Sequence, residues 1–495
     1  MVAMPEPNAE ILSRRPEIIA QLERILPTGV IHLEEELRPY ECDGLMAYRA
    51  VPMIVVLPET TAEVSAVLKY CHAEGINVVP RGAGTGLSGG ALPMADAVTL
   101  GLGKFNQILE TDLENRCVVT QPGVTNTGVT NAVEHAGFYY APDPSSKIAC
   151  SIGGNVAENS GGMHCLKYGL TTNNLLGLEM VLMDGEIIRL GGKHLDAGGY
   201  DLMGLVTGSE GLLGVITEVT VRILQKPETA RSVLLGFPSV EAGGSCVAAI
   251  IAEGIIPGAM EMMDKMAIHA MEQFVSSGYW QDVESILVME LDGPEVEVDF
   301  LLERVDAIAK SLGCSKIRVS ETEEERQQFW KGRMSAFPSM GNISPDYMTM
   351  DGTIPRARLP EVLKRIGELS EEYGLRVANV FHAGDGNLHP LILYDANVPG
   401  ELEKTEAFGA AILTLCVEVG GVLTGEHGVG VEKRDLMCTM FNDVDLDLQR
   451  RVKRAFDPSG LLNPAKVYPI LHRCAEMGKM HVSGGKLPHA DIPRF

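Results

Sequence analysis

A strand-like run from Ile76 to Val79 leads directly into Pro80-Arg81-Gly82-Ala83-Gly84-Thr85-Gly86-Leu87-Ser88-Gly89-Gly90. Glycines at this density let backbone amides turn toward an anion, and the composition suits a loop that wraps a pyrophosphate. Gly84-Thr85-Gly86-Leu87-Ser88-Gly89 also satisfies GxGxxG, with Glu110 near the spacing of a ribose contact. A Rossmann unit, however, opens a helix at the third glycine. Here Ala91-Leu92-Pro93 and the β-patterned Ala97-Val98-Thr99-Leu100 follow, which rejects that fold. From this loop alone, a glycine-rich turn without a ligand remains the alternative.

Further loops of small residues shift the balance. They are Gln121-Pro122-Gly123-Val124, Pro142-Asp143-Pro144-Ser145, and Ser151-Ile152-Gly153-Gly154-Asn155 through Gly161-Gly162. Gly208-Ser209-Glu210-Gly211-Leu212-Leu213-Gly214, running into Val215-Ile216-Thr217, adds another. So many such loops in one domain fit a long, folded ligand gripped mostly by backbone.

A chain of 495 residues exceeds one ordinary core, so several domains are expected. Residues 1–47 read as a helical lead-in, with Ile18, Ile19, Leu22 and Ile25 on one face. Short βα units occupy 48–226. In them Thr60-Thr61-Ala62-Glu63 is a capping box, Gly75 stops the following helix, and Cys117 to Thr120 is a strand. Lys226-Pro227 marks a boundary, after which 227–455 carries longer elements. These are strands Val233 to Phe237 and Ile286 to Leu291, helices near 240–253 and 296–312, and a helix from Glu321 to Ala336, implying an α+β domain with an antiparallel sheet. Residues 456–495 form a terminal segment.

The balance of 41 basic against 66 acidic residues gives a net charge of −25, a field that repels nucleic acid and anionic lipid. Ten cysteines are scattered without a CxxC, which argues against a self-contained iron–sulfur cluster or zinc knuckle. Met1 to Pro7 has neither the basic nor the apolar region of a signal peptide, and no apolar run reaches spanning length. A cytoplasmic location is expected.

His382-Ala-Gly-Asp-Gly-Asn-Leu-His389 places two histidines at the mouth of a hairpin, with strands Arg376 to Phe381 and Pro390 to Leu393 on either side. Gly425-Glu426-His427-Gly428 follows. Two imidazoles and a carboxylate beside glycines are the parts of a divalent-metal site, and zinc, manganese or ferrous iron would suit that donor set. Two satisfied hairpin histidines are the alternative. Asp385 either orients a ligating imidazole or serves the turn.

Taken in order, the glycine loops resemble the FAD-binding domain of the vanillyl-alcohol-oxidase/PCMH superfamily. The segment holding His382, His389 and Glu426-His427 resembles its FAD-linked oxidases acting on D-2-hydroxy acids, as do Arg333-Met334-Ser335-Ala336-Phe337-Pro338, Ser344-Pro345-Asp346-Tyr347, Leu461-Leu462-Asn463-Pro464 and Leu471-His472-Arg473-Cys474-Ala475-Glu476. The resemblance implies a two-part PCMH-type domain, then an α+β substrate domain, with a C-terminal segment returning to the flavin. FAD would lie against Pro80, Arg81, Gly82, Gly84, Thr85, Gly86, Ser88, Gly89, Gly90, Gln121, Gly123, Pro142, Asp143, Ser145, Ser151, Gly153, Gly154, Asn155, Gly161, Gly162, Glu210, Gly211, Ile216, Asn463 and Lys466. Some members attach the flavin through a loop histidine. None occurs from Arg81 to Gly90, so dissociable FAD is expected.

The resemblance further implies His382, His389 and Glu426 as metal ligands, His427 as general base and Arg333 as the carboxylate clamp. A surface helix arginine is the plainer reading of Arg333. Relatives handling a dicarboxylate carry Asn and Lys where Leu391 and Thr349 stand here, which favours glycolate or D-lactate. The implied reaction is oxidation of glycolate to glyoxylate, with hydride passing to FAD. The implied partners are a second FAD-type subunit and an iron–sulfur subunit, placing the chain peripherally at the inner membrane. Stand-alone D-lactate or D-2-hydroxyglutarate oxidation, and a non-catalytic flavin-binding subunit, are the alternatives.

Overall fold

The computed structural model describes residues 4–194 and 198–469; the Leu471 to Glu476 motif lies outside the described residues. The helix Arg15–Ile25 buries Ile18 and Leu22 against the core of the first lobe, with Ile19 and Ile25 at its margin. Thr60 caps the helix Thr61–Glu74 through both hydrogen bonds of the capping box, and Gly75 ends it in the left-handed conformation. That helix is the crossover that parallel strands require. It lies between Ile54–Val56 and Val78–Arg81, which flank Val98–Gly101 in a parallel arrangement, with Val30–Ile31 antiparallel at one edge. No helix opens at Gly89, and the chain goes on to the strand Val98–Gly101, as the rejection of a Rossmann unit requires.

A second sheet is wholly antiparallel, in the order Ile108–Asp112, Cys117–Thr120, Val215–Arg222, Leu175–Val181, Ile187–Gly191. Together the two sheets form the flavin-type lobe. The glycine loop leaves Val78–Arg81, and Ile152–Glu158 packs against Val215–Arg222.

The other lobe is built on a seven-stranded antiparallel sheet. Its order is Lys316–Val319, Thr229–Phe237, Ser285–Gly293, Ala259–Asp264, Val377–Phe381, Pro390–Tyr394, Asp346–Thr349. Both faces are covered. Leu235, Leu287 and Met289 pack with helices Val240–Ala252 and Leu359–Tyr373, while Leu234, Ile286 and Val288 pack with Lys265–Val275 and Glu323–Met334. Burial on both faces explains why the inner stretches Val233 to Phe237 and Ile286 to Met289 read as unbroken apolar runs. The chain then returns to the first lobe: Leu462 bridges Val78, and the Asn463 N–H donates to the Val78 carbonyl. Among the described residues no helix is long and apolar enough to cross a membrane.

Candidate active site

The hairpin closes as its sequence predicts, with Asn379 opposite Pro390. Its connection is pinned by pairing of Asn387–Leu388 with Gly352–Thr353 and by a bridge from His382 to Asn387. Gly386 has φ +84°, and a Cβ there would lie 2.3 Å from the Ile354 carbonyl oxygen. His382 and His389 therefore meet as buried rings 5.1 Å apart and nearly perpendicular. Glu426 Oε1 lies 3.2 Å from His382 Nε2 and 3.1 Å from His389 Nε2. His427 stacks on His389 at 4.9 Å and 9°.

These donors fit a cation. His382 Nδ1 faces Glu261, and His389 Nδ1 lies 3.3 Å from the Met350 carbonyl oxygen. Both partners only accept, so each Nδ1 carries hydrogen. In the neutral rings both Nε2 lone pairs then point at the Glu426 carboxylate, an arrangement of three acceptors that a metal satisfies and water does not. Without a metal, protons take its place. Burial opposes charge on His382, but Glu261 and Glu426 outweigh it and hold the imidazolium well above the usual histidine range. Burial would likewise raise Glu426, but His382 and His389 hold it well below the carboxylate range. Burial, then His389 and Lys433, push His427 down to about 4 against an opposing Asp351, so it is a neutral acceptor near pH 7. Its Nδ1 is buried without a hydrogen bond.

Arg333 is not on the surface. It is 1% exposed, with Nη2 in a 2.6 Å ion pair to Glu261 Oε2 and neither Nη2 nor Nε in a hydrogen bond. Burial penalises the Glu261 carboxylate, yet His382 and Arg333 more than compensate and keep its pKa low. Asp385 serves the turn by accepting the Asn387 N–H at 3.0 Å, while the contact with His382 belongs to Glu261. Thr349 and Leu391 face each other across two strands and are buried.

The glycine loops converge from separate elements. Asn463 Nδ2 donates to the carbonyls of Gly90 and Glu210, and Gly211 abuts Pro80. The Gly153 N–H donates to the Pro122 carbonyl, between Gln121 and Gly123; Asn126 ties the Pro142 carbonyl to the Asn155 side chain. A Cβ at Gly82 would collide with the Ser151 hydroxyl, which caps Ile152–Glu158 by accepting from Gly154. A Cβ at Gly162 would collide with the Asp143 carbonyl, and one at Gly44 with the carbonyls of Thr85 and Gly86. Arg81 is engaged by the Cys42 carbonyl. Ser145 is exposed at the rim, and the Ile216 side chain joins the core of the second sheet.

Buried polar atoms without partners mark where a polar ligand fits: Ser88 Oγ, Asp43 Oδ2 and Glu158 Oε2. Lys466 is buried in the same region, its amine pushed down to about 7 by burial against the pull of Asp43. The two lobes meet at the Gly425-Glu426-His427-Gly428 loop. A Cβ at Gly161 would lie 2.6 Å from Glu426 Oε2, and one at Gly428 would lie 2.3 Å from Glu158 Oε2. Glu210 accepts the N–H groups of Val429 and Gly430. The histidine–carboxylate cluster thus sits directly against the glycine-loop lobe.

Residues 52–191 match the family described as FAD binding domain, and residues 226–467 that of FAD linked oxidases, C-terminal domain. Over 484 residues the chain is 54% identical to glycolate oxidase subunit GlcD of Escherichia coli strain K12, covering 98% of this chain and 97% of the relative. The chain belongs to the GlcD family of FAD-linked oxidases. This GlcD-family chain is also 38% identical to the Bacillus subtilis GlcD, covering 87% and 92% of the two. It is 36% identical to a D-lactate dehydrogenase of Archaeoglobus fulgidus, covering 86% and 94%. Its fold matches p-cresol methylhydroxylase with substrate bound at TM-score 0.79 and 18% identity, covering 95% and 99%.

Two buried acids that bond the histidine–glutamate cluster, Glu261 and Asp351, escape the sequence reading. Wholly buried Asp351 accepts N–H groups from Gly425, Glu426 and His427, the Thr424 hydroxyl and the Lys433 ammonium. Burial would raise its pKa, but Lys433 and the two nearby histidines hold it far below. Asp351→Ala would remove the nearest carboxylate from buried Lys433, leaving it Glu432 at 3.7 Å, and would release the loop. Loss of about 3–5 kcal/mol of stability is expected by urea denaturation, and a loss below about 1 kcal/mol would assign Asp351 no such role. A lone acid following the apolar Met348-Thr349-Met350 strand was the available clue to Asp351.

Proposed function

We propose that this chain oxidises glycolate to glyoxylate, with D-lactate as a second substrate, and passes the electrons to partner redox subunits. The observation that supports this reading is the docking of Glu426 against Gly161 of the glycine-loop lobe, which sets the His382, His389, Glu426 and His427 cluster beside the glycine loops. Dissociable FAD on those loops supplies the two-electron acceptor, and a divalent metal, zinc first among candidates, held by His382, His389 and Glu426 supplies a Lewis acid for the substrate hydroxyl. His427, neutral and partly unpartnered, accepts the hydroxyl proton. Arg333 offers its free Nε–H to the substrate carboxylate. Buried Thr349 and Leu391 provide no cation for a second carboxylate, which favours a short monoacid. Lys466 stands by to stabilise negative charge on the reduced ring.

The scattered cysteines make an external electron route necessary. The name of the 54% identical relative, a glycolate oxidase subunit, supports assembly with other subunits. A second FAD-type subunit and an iron–sulfur subunit would complete the route. An anaerobic bleaching panel with glycolate, D-lactate, L-lactate and D-2-hydroxyglutarate tests the assignment. Fastest flavin reduction by glycolate is expected. Faster reduction by D-2-hydroxyglutarate would overturn the substrate, and no bleaching by any acid would favour a non-catalytic flavin-binding subunit. Acid precipitation should release the flavin, and pigment staying with the pellet would contradict dissociable FAD.

A further inference from the structure

We propose that Glu261 is a positioning residue that holds His382 in the tautomer needed for metal binding while aiming Arg333 at the substrate carboxylate, coupling the two events through one buried side chain. This inference rests on the oxidation proposed above. Glu261 projects from Ala259–Asp264, the central strand of the seven-stranded sheet, and is wholly buried. Its Oε1 and Oε2 lie 2.8 and 2.9 Å from His382 Nδ1. Oε2 also lies 2.6 Å from Arg333 Nη2. A carboxylate can only accept, so Nδ1 must carry the hydrogen and Nε2 is left facing Glu426 as a ligand. The same oxygen holds one end of a planar guanidinium as a close ion pair rather than an aligned hydrogen bond, and neither Nε nor Nη2 has a hydrogen-bond acceptor, so both face the site as donors. No other carboxylate forms a described hydrogen bond or ion pair with Arg333, and His382 has only Glu426 besides. Rotation of the Glu261 side chain would therefore disturb a metal ligand and the substrate clamp together.

The test is Glu261→Gln in the full-length, FAD-loaded chain, with zinc affinity measured by competition and KM for glycolate measured separately. Glutamine keeps the volume and one acceptor but removes the charge. Zinc affinity is expected to fall about 10–100-fold, and KM to rise about tenfold, the equivalent of one weakened charged hydrogen bond. The flavin spectrum and stoichiometry should stay unchanged. Glu261→Asp, which keeps the charge, is expected to recover part of both losses, and it carries the test if the glutamine variant fails to fold. Unchanged zinc affinity and KM would overturn the proposal, and a change in only one of them would overturn the coupling. Loss confined to thermal stability would reduce Glu261 to a structural residue. A wild-type chain that binds no metal would overturn the function as well, which separates the two failures.

Discussion

Replacing His427 with glutamine is expected to slow anaerobic flavin reduction by glycolate about 10²–10⁴-fold, the usual contribution of a positioned general base. Burial, His389 and Lys433 disfavour the His427 cation, so the ring is neutral at working pH and begins the reaction with one nitrogen free of hydrogen. Its place is set by stacking on His389 and by the Asp351 bond to its own backbone N–H, and neither contact uses the imidazole nitrogens. Glutamine therefore removes the base without dismantling the loop. Flavin content, metal content and the unfolding midpoint should match wild type. Single-turnover stopped-flow reduction is the decisive measurement, and a rate close to wild type would exclude His427 from proton transfer.

Removing the metal with a chelator is expected to abolish substrate bleaching, and its re-addition to restore it. Metal affinity should depend on pH with a definite sign. In the metal-free site, burial opposes a charged His382, but Glu261 and Glu426 hold the imidazolium above its usual range. Binding must displace that proton. Affinity should thus rise about tenfold per pH unit while one proton is released, and level off once pH exceeds the metal-free pKa. Zinc competition titrations at a series of pH values measure this directly. An affinity independent of pH would mean that His382 is not a ligand.

Local chemistry was legible wherever neighbours in sequence are neighbours in space. The Thr60–Glu63 capping box, the Gly75 stop and the hairpin around Gly384-Asp385-Gly386 each act over a few residues. The strand Ala259–Asp264 was not foreseen. Its Met-rich sequence has little β preference, and burial on both faces leaves no alternation to detect. With that strand went Glu261, an acid set among methionines that meets His382 from 121 positions away. Asp351 was hidden for the same reason, since Lys433 is 82 positions distant.

By themselves, the glycine loops indicated a long ligand gripped by backbone and the histidine–glutamate set a divalent-metal site, because side-chain type carries that chemistry. Flavin and redox chemistry came from the family resemblance of the whole sequence. Tertiary structure alone decided how the groups are wired. It buried Arg333, gave His382 to Glu261 rather than Asp385, and closed Glu426 against Gly161. The physical reason is that each of these contacts joins residues far apart in the chain, and their energy depends on desolvation, which exists only once the second lobe has folded and, for Glu426 and Gly161, once the two lobes have packed.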